Sequence, residues 1–275
     1  MFVASCAKNE VSASLDKAPE KTPEKIIESI ENDNLKKNFD EYKVTGCFVL
    51  YDKNKNKFVR YNPKHCAEQY TPASTFKIPN TLIALETGVM KDENTSIKWD
   101  GVKRMRAEWN RDQTLESAFK YSAFWFYQEI ARRVGEEKMK RYVNDFEYGN
   151  RDISGGIDQF WLYGNMRISP EEQIVFLRKL NENKLPVSDR SINILKKIML
   201  AETGTNYKLF AKTGAGRNGD KLVGWYVGFI EQNGNVYYFA NNIEADEANK
   251  NFLPARVEIA VRNLKEVGLL EANKK

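Results

Sequence analysis

An α+β fold, with an antiparallel sheet, flanking helices and a helical lobe, is predicted by three features of the 275-residue chain. β-Prone runs pair as hairpins near both ends, 44–51 with 57–61 and 222–232 with 236–243. Asn233-Gly234 joins the second pair, a dipeptide suited to a two-residue turn. Between them, a block from about 80 to 185 carries apolar residues at helical spacing. Hairpins make neighbouring strands antiparallel, so the block is an insertion packed on one side of the sheet. Sites commonly form where two such lobes meet.

The elements follow in order. Ile26, Ile27, Ile30 and Phe39 lie near helical spacing, which predicts a first helix over 23–39. The hairpin 44–61 comes next, turning through Asp52-Lys53-Asn54-Lys55-Asn56. A helix over 74–86 is closed by Gly88. Leu115, Ala118, Phe119, Trp125 and Ile130 predict one long amphipathic helix over 114–134. Ser169-Pro170-Glu171-Glu172 is a capping box with proline at the first helical position, opening a helix to 180. Ser188 caps another reaching 200. Strands 207–213, 222–232 and 236–243 precede a last helix from 254 towards 264.

Residues 1–23 read differently from the rest. Phe2-Val3-Ala4-Ser5-Cys6 resembles the end of a bacterial lipoprotein signal, which makes Cys6 a lipidation candidate; an incidental cysteine in a leader remnant is the alternative. Residues 7–23, rich in Ala, Lys, Ser, Glu and Pro, form a flexible tether. The folded domain is then 24–275. Cys47 and Cys66 either bridge or remain two buried thiols.

Composition narrows the chemistry. Lys and Arg total 43 and Asp and Glu 38, for a formal charge of +5. The signs alternate along the chain, so no basic stripe marks a nucleic-acid face. The three cysteines make no disulfide framework and no zinc pair. With His65 as the one histidine, neither a histidine triad nor a multi-histidine metal site is expected. Catalysis must come from Ser, Lys, Tyr or carboxylates.

Ser74-Thr75-Phe76-Lys77 opens a predicted helix, where positions three apart share a face. A desolvated lysine can take the proton that makes a serine nucleophilic, and a helix N-terminus favours a developing oxyanion. The Ser-x-x-Lys pattern also occurs at Ser5, Ser14 and Ser117, so spacing alone does not select Ser74. Lys212-Thr213-Gly214 reads as the end of a strand running into a glycine-bearing turn, a cation where a backbone can approach an anionic substrate. Ser122 lies mid-helix among aromatics. Ser-x-x-Lys, a helical Ser and Lys-Thr-Gly, in this order, are the serine β-lactamase and penicillin-binding arrangement.

The chain resembles the class D β-lactamases, the oxacillinases. The likeness rests on Pro72-Ala73-Ser74-Thr75-Phe76-Lys77, Trp109-Asn110-Arg111-Asp112, Tyr148-Gly149-Asn150 and Asp152-Ile153-Ser154-Gly155-Gly156. It continues through Phe160-Trp161-Leu162, Arg167-Ile168-Ser169, Lys212-Thr213-Gly214 and Leu253-Pro254-Ala255-Arg256. The resemblance implies the serine β-lactamase/penicillin-binding-protein-like fold and hydrolysis of penicillin-type β-lactam antibiotics through an acyl-enzyme on Ser74. It implies no cofactor beyond CO2, held as a carbamate (N6-carboxylysine) on Lys77 that serves as general base. Trp161 is implied to donate a hydrogen bond to that carbamate, and Phe124 to keep its pocket dry, although the family usually has Val there. Ser122 is implied to be the proton-relay hydroxyl. Lys212, as a catalytic residue, and Thr213, as a substrate-binding one, are implied to line the site, Arg256 to bind the substrate carboxylate bidentately, and Ser74 and Ala215 to supply oxyanion N–H groups. The setting implied is the bacterial periplasm or cell envelope, with membrane contact only through a lipid at Cys6. The alternative is a β-lactam-sensing domain that acylates without turnover; its third motif residue is usually Asn, against Phe124 here.

Overall fold

The computed structural model describes Met1 and residues 28–270. Cys6 and most of the tether lie outside the described residues. In chain order come β1 (Glu28–Glu31), α1 (Lys36–Tyr42), β2 (Thr45–Asp52), β3 (Lys57–Tyr61), α2 (Pro63–Ala67) and α3 (Lys77–Glu86). Then follow β4 (Ser96–Ile97), β5 (Gln113–Thr114), α4 (Leu115–Tyr121), α5 (Phe124–Val134), α6 (Glu136–Asp145), α7 (Pro170–Asn181) and α8 (Asp189–Met199). The chain closes with β6 (Leu200–Thr203), β7 (Tyr207–Asn218), β8 (Lys221–Gln232), β9 (Asn235–Ala245) and α9 (Phe252–Glu266).

Among the described residues, seven strands form one sheet in the order β1-β3-β2-β9-β8-β7-β6. Both faces are covered, so the central strands are near-continuous apolar runs. In β2, Cys47, Val49 and Tyr51 point to the helical lobe, whereas Phe48 and Leu50 point to the opposite layer. That second layer is α9 with α1, packing Phe39, Ile259 and Leu264 against Phe239 and Ile243. On the lobe side α7 lies across β9 and β2. Its start is the expected capping box: Ser169 Oγ accepts from Glu172 N (3.1 Å) and the Glu172 carboxylate accepts from Ser169 N (2.7 Å). Asn233 and Gly234 both take positive φ, +50° and +72°, as the tight turn requires.

Several expectations are corrected. Among the described residues the first α-helix begins at Lys36, and 23–27 of the expected helix lie outside them. Residues 28–31 instead add an edge strand parallel to β3, so the sheet is mixed at one edge. Asn32 ends that strand and its side chain accepts from Asn34 N (3.2 Å), starting the helical turn late. The segment over 114–134 is two helices. Ser122 has left-handed backbone (φ 55°, ψ 39°), and Ala123 N bonds back to Ala118 O (2.9 Å), which closes α4. Ala123 is extended (φ −63°, ψ 101°) and α5 then starts afresh; both helices bury apolar residues, so the sequence pattern does not register the break. Lys212-Thr213-Gly214 does not end its strand either. β7 runs on to Asn218 in unbroken register with β8, Gly214 opposite Trp225 and Ala215 opposite Gly224. Cys47 and Cys66 are free, fully buried thiols, and burial beside Cys66 pushes the Cys47 thiol up.

Two glycines let β7 run where it does. A Cβ on Gly214 would sit 3.1 Å from the Trp225 ring and 3.2 Å from Pro72 O, a tight fit that glycine avoids where β7 presses on the turn that carries Ser74. A Cβ on Gly228, opposite Ala211, would fall 2.0 Å from the backbone oxygen of Phe210. Gly228→Ala must therefore separate β7 from β8, and overpacking of this kind costs at least about 2 kcal/mol. Urea unfolding should show the loss; an unchanged midpoint would disprove this register.

Candidate active site

The turn that carries Ser74 is strained and held in place. Ala73, fully buried, has φ +49°, an unfavourable value for a residue with a Cβ. Ala73 N donates to Trp161 O (3.0 Å), and both the amide (3.1 Å) and the hydroxyl (2.8 Å) of Thr75 donate to Pro72 O. The result is a short 3₁₀ turn, Ala73–Phe76, running directly into α3. The first turn expected to be α-helical is thus tighter, and Ser74 sits on it, half-buried, facing a cavity.

Lys77 is fully buried and its Nζ donates to Ser74 Oγ (2.8 Å). Burial lowers its pKa to about 7. Removing an ammonium from water favours the neutral amine, and no acid stands beside Lys77 among the described residues to oppose this. The ring below the amine is Tyr127, 5.2 Å from Nζ, with Phe76 stacked on Trp161 alongside. Trp161 is fully buried, and its Nε1–H has no acceptor among the described residues. A buried unsatisfied donor is uncommon and marks a place for an acceptor.

From β7, Lys212 reaches in from the sheet side. Its Nζ donates to Ser122 Oγ (2.5 Å) and to Thr213 O (3.1 Å). Burial holds its pKa well below the ordinary lysine value, with the positive charges of Lys77, Arg256 and Arg106 adding to the effect. Ser122 meets Lys212 because it lies at the α4–α5 break; within a continuous helix it would be one more side chain on the helix flank. Arg256, on α9, faces the same cavity, and its backbone carbonyl accepts from Asn241 Nδ2 (3.1 Å). Burial lowers its pKa to about 10, with Arg106 contributing, so it remains a cation at neutral pH.

The cavity holds about 550 Å³ and is lined by Ser74, Ser122, Thr213, Ala215 and Arg256 with an apolar wall including Phe124 and Leu162. Ser74, Ser122 and Phe124 come from the helical lobe; Thr213, Ala215 and Arg256 come from the sheet and α9. The predicted residues are therefore brought to one place, with Lys77 and Lys212 at its base and Trp161 in the core beneath. Tyr148 is not at the cavity. It is buried below Thr75, with its hydroxyl 3.3 Å from Gln173 Nε2. Sequence reasoning missed Met105, Arg106 and Tyr163 on the rim and gave Leu253 only within a family motif. They lie in loops or at a helix start, where no periodicity distinguishes them. Trp109, present only as part of a family motif, also lines the cavity.

This arrangement is shared with known proteins. The penicillin binding protein transpeptidase domain matches residues 30–264. The β-lactamase OXA-48 of Klebsiella pneumoniae is 49% identical over 214 residues, 78% of this chain and 81% of that protein. A crystal structure of a class D β-lactamase from Sebaldella termitidis superposes with a TM-score of 0.85 at 41% identity, covering 89% of this chain and 99% of that one. The C-terminal domain of the Bacillus licheniformis BlaR penicillin-receptor also superposes, with a TM-score of 0.83 at 32% identity, covering 89% and 98%. A buried lysine on the nucleophile, set between sheet and helical lobe, thus comes with extensive identity to enzymes of one class, and the chain belongs to the class D serine β-lactamases, hydrolases built on the penicillin-binding transpeptidase domain.

Proposed function

We propose that the chain hydrolyses the amide of penicillin-type β-lactams through an ester on Ser74, with Lys77 as the general base in its N6-carboxylated form. The observation that carries this reading is the fully buried Lys77 amine, 2.8 Å from Ser74 Oγ with its pKa lowered to about 7. Near neutral pH a substantial fraction is unprotonated, able to accept the serine proton or to add CO2 with release of a proton. The carbamate would supply a base and two acceptor oxygens, and the unsatisfied Nε1–H of Trp161 fits such an acceptor.

In acylation, Ser74 Oγ gives up its proton and attacks the lactam carbonyl. The N–H groups of Ser74 and Ala215 are the proposed oxyanion donors. As the C–N bond breaks, the departing nitrogen takes a proton from the Ser122 hydroxyl, which accepts from Lys212 Nζ at 2.5 Å and is resupplied by it. The proton that the base took from Ser74 then passes back to Lys212, so that the base is free again before deacylation. In deacylation, water loses a proton to the base and attacks the ester, and Ser74 leaves with a proton restored. Arg256 and Thr213 bind the substrate carboxylate, a bidentate task suited to a guanidinium. Phe124, its ring edge-on to Trp109 at 5.2 Å, walls the pocket and limits water. On this reading the enzyme works in the periplasm or cell envelope, tethered through a lipid on Cys6. Mass spectrometry of the purified native protein tests that anchor.

Arg256→Ala should reduce kcat/KM for benzylpenicillin by one to two decades, since charge-assisted bonds contribute about 1.5–3 kcal/mol. An unchanged value would remove Arg256 from substrate binding.

Lys77→Ala should still acylate slowly yet fail to deacylate, leaving an adduct on Ser74 in the intact mass spectrum. Hydrolysis close to the wild-type rate would end the base assignment. In the wild type, a long-lived adduct would favour the sensor reading.

Wild-type activity should fall as pH drops through about 7, because protonating the amine removes both the free base and the site of CO2 addition. Added bicarbonate should raise the rate wherever carboxylation is incomplete. A rate indifferent to bicarbonate at every pH, with an unmodified Lys77 seen by 13C NMR after 13C-bicarbonate addition, would leave the amine alone as base.

A further inference from the structure

We infer that Trp125 and Trp109 form a two-indole clamp that holds the α4–α5 break and so positions the Ser122 hydroxyl. This rests on the proton-relay role proposed for Ser122. The clamp is built from two hydrogen bonds that bracket that residue. Trp109 Nε1–H donates to Tyr121 O (2.9 Å), the carbonyl immediately before Ser122. Trp125 Nε1–H, three residues beyond Ser122, donates to Trp109 O (2.9 Å). The Trp109 residue is therefore tied to both sides of the break, by its side chain to one and by its carbonyl to the other.

The segment that carries Trp109 is itself held firmly. Asn110 Oδ1 accepts from Arg104 N (2.7 Å) and its Nδ2 donates to Arg104 O (2.9 Å). Gln113, buried, donates to Glu108 O (2.6 Å). The Arg104 guanidinium lies 5.5 Å from the rings of both Phe124 and Trp125, and Phe124 packs edge-on against Trp109. A left-handed residue with a side chain persists only where its surroundings over-determine it. Here they do, and the consequence is chemical. Ser122 Oγ meets Lys212 Nζ at 2.5 Å only at this backbone position. Relaxing the break towards helix would carry the hydroxyl away, and displacements near 1 Å cost on the order of a hundredfold in rate.

Trp125 is the clean probe because it is buried and does not line the cavity, so its effect on activity must pass through the backbone. Trp109 lines the cavity and can also touch substrate. Both are positioning residues for Ser122. The test is a double-mutant cycle on benzylpenicillin acylation, using Trp125→Phe, Ser122→Ala and the double variant, with deacylation measured in parallel. Trp125→Phe should slow acylation about tenfold when Ser122 is present and less than twofold when it is alanine, with deacylation little changed. An equal loss in both backgrounds, or none in either, would overturn the clamp while leaving the Ser122 role intact. Wild-type acylation by Ser122→Ala would instead overturn the relay itself, and the clamp with it. Should Trp125→Phe fold poorly by thermal melting, Trp109→Phe in the same cycle carries the comparison: coupling to Ser122 supports the clamp and strict additivity rejects it.

Discussion

Burial of the Lys77 amine beside Ser74 is the constraint on which the rest of the structure depends. An ammonium moved out of water is unfavourable, and the protein lessens that cost by letting the amine lose its proton near neutral pH. The unfolded chain would keep the proton to the ordinary value of 10.5. Between about 7 and that value the unfolded state binds more protons, so this group makes folding stability rise with pH; below about 7 its full cost is present. Lys212, also buried and lowered, acts in the same sense. The molecule therefore gives up stability at the Lys77 amine, and the large aromatic core around Phe76, Tyr127 and Trp161 offsets it.

Each neighbouring feature serves that constraint. The strained Ala73 turn presents Ser74 while its partners Trp161 O and Pro72 O keep it fixed. Trp225 Nε1 donates to Thr71 O (2.9 Å), tying the nucleophile segment to β8. Gly214 removes the Cβ that would keep β7 at a distance. The helix break at Ser122 turns a hydroxyl towards Lys212. None of these involves an unusual residue type. What is unusual is backbone conformation, positive φ at Ala73 and Ser122 and close approach at Gly214, and backbone conformation is fixed here by hydrogen bonds from distant parts of the chain.

The charge of the site follows from the same assembly. Lys77, Lys212 and Arg256 come together at a cavity whose lining includes no carboxylate among the described residues. Burial lowers the pKa of Arg256, and the positive charge of Arg106 adds to the effect. Burial also lowers the pKa of both lysines, and for Lys212 the neighbouring positive charges of Lys77, Arg256 and Arg106 add to it.

What the sequence determined by itself was local. The capping box at Ser169, the Asn233-Gly234 turn, the apolar strands and the Ser74–Lys77 spacing are all set by residues within a few positions of one another, where propensity and hydrogen-bonding geometry act directly. The family likeness named residues that lie around one cavity without showing how they meet. Tertiary structure decided the rest. Residues 28–31 could be helix or strand, and the open edge of β3 made them strand. A helical period ran unbroken through 114–134, and bonds from Trp109 and Trp125 accompany its interruption at Ser122. Lys212 looked like the end of a strand, and glycine at 214 and pairing with β8 carried the strand onward. In each case the deciding contact joins residues far apart in the chain or lies in a single backbone angle, and neither leaves a periodic trace in the sequence.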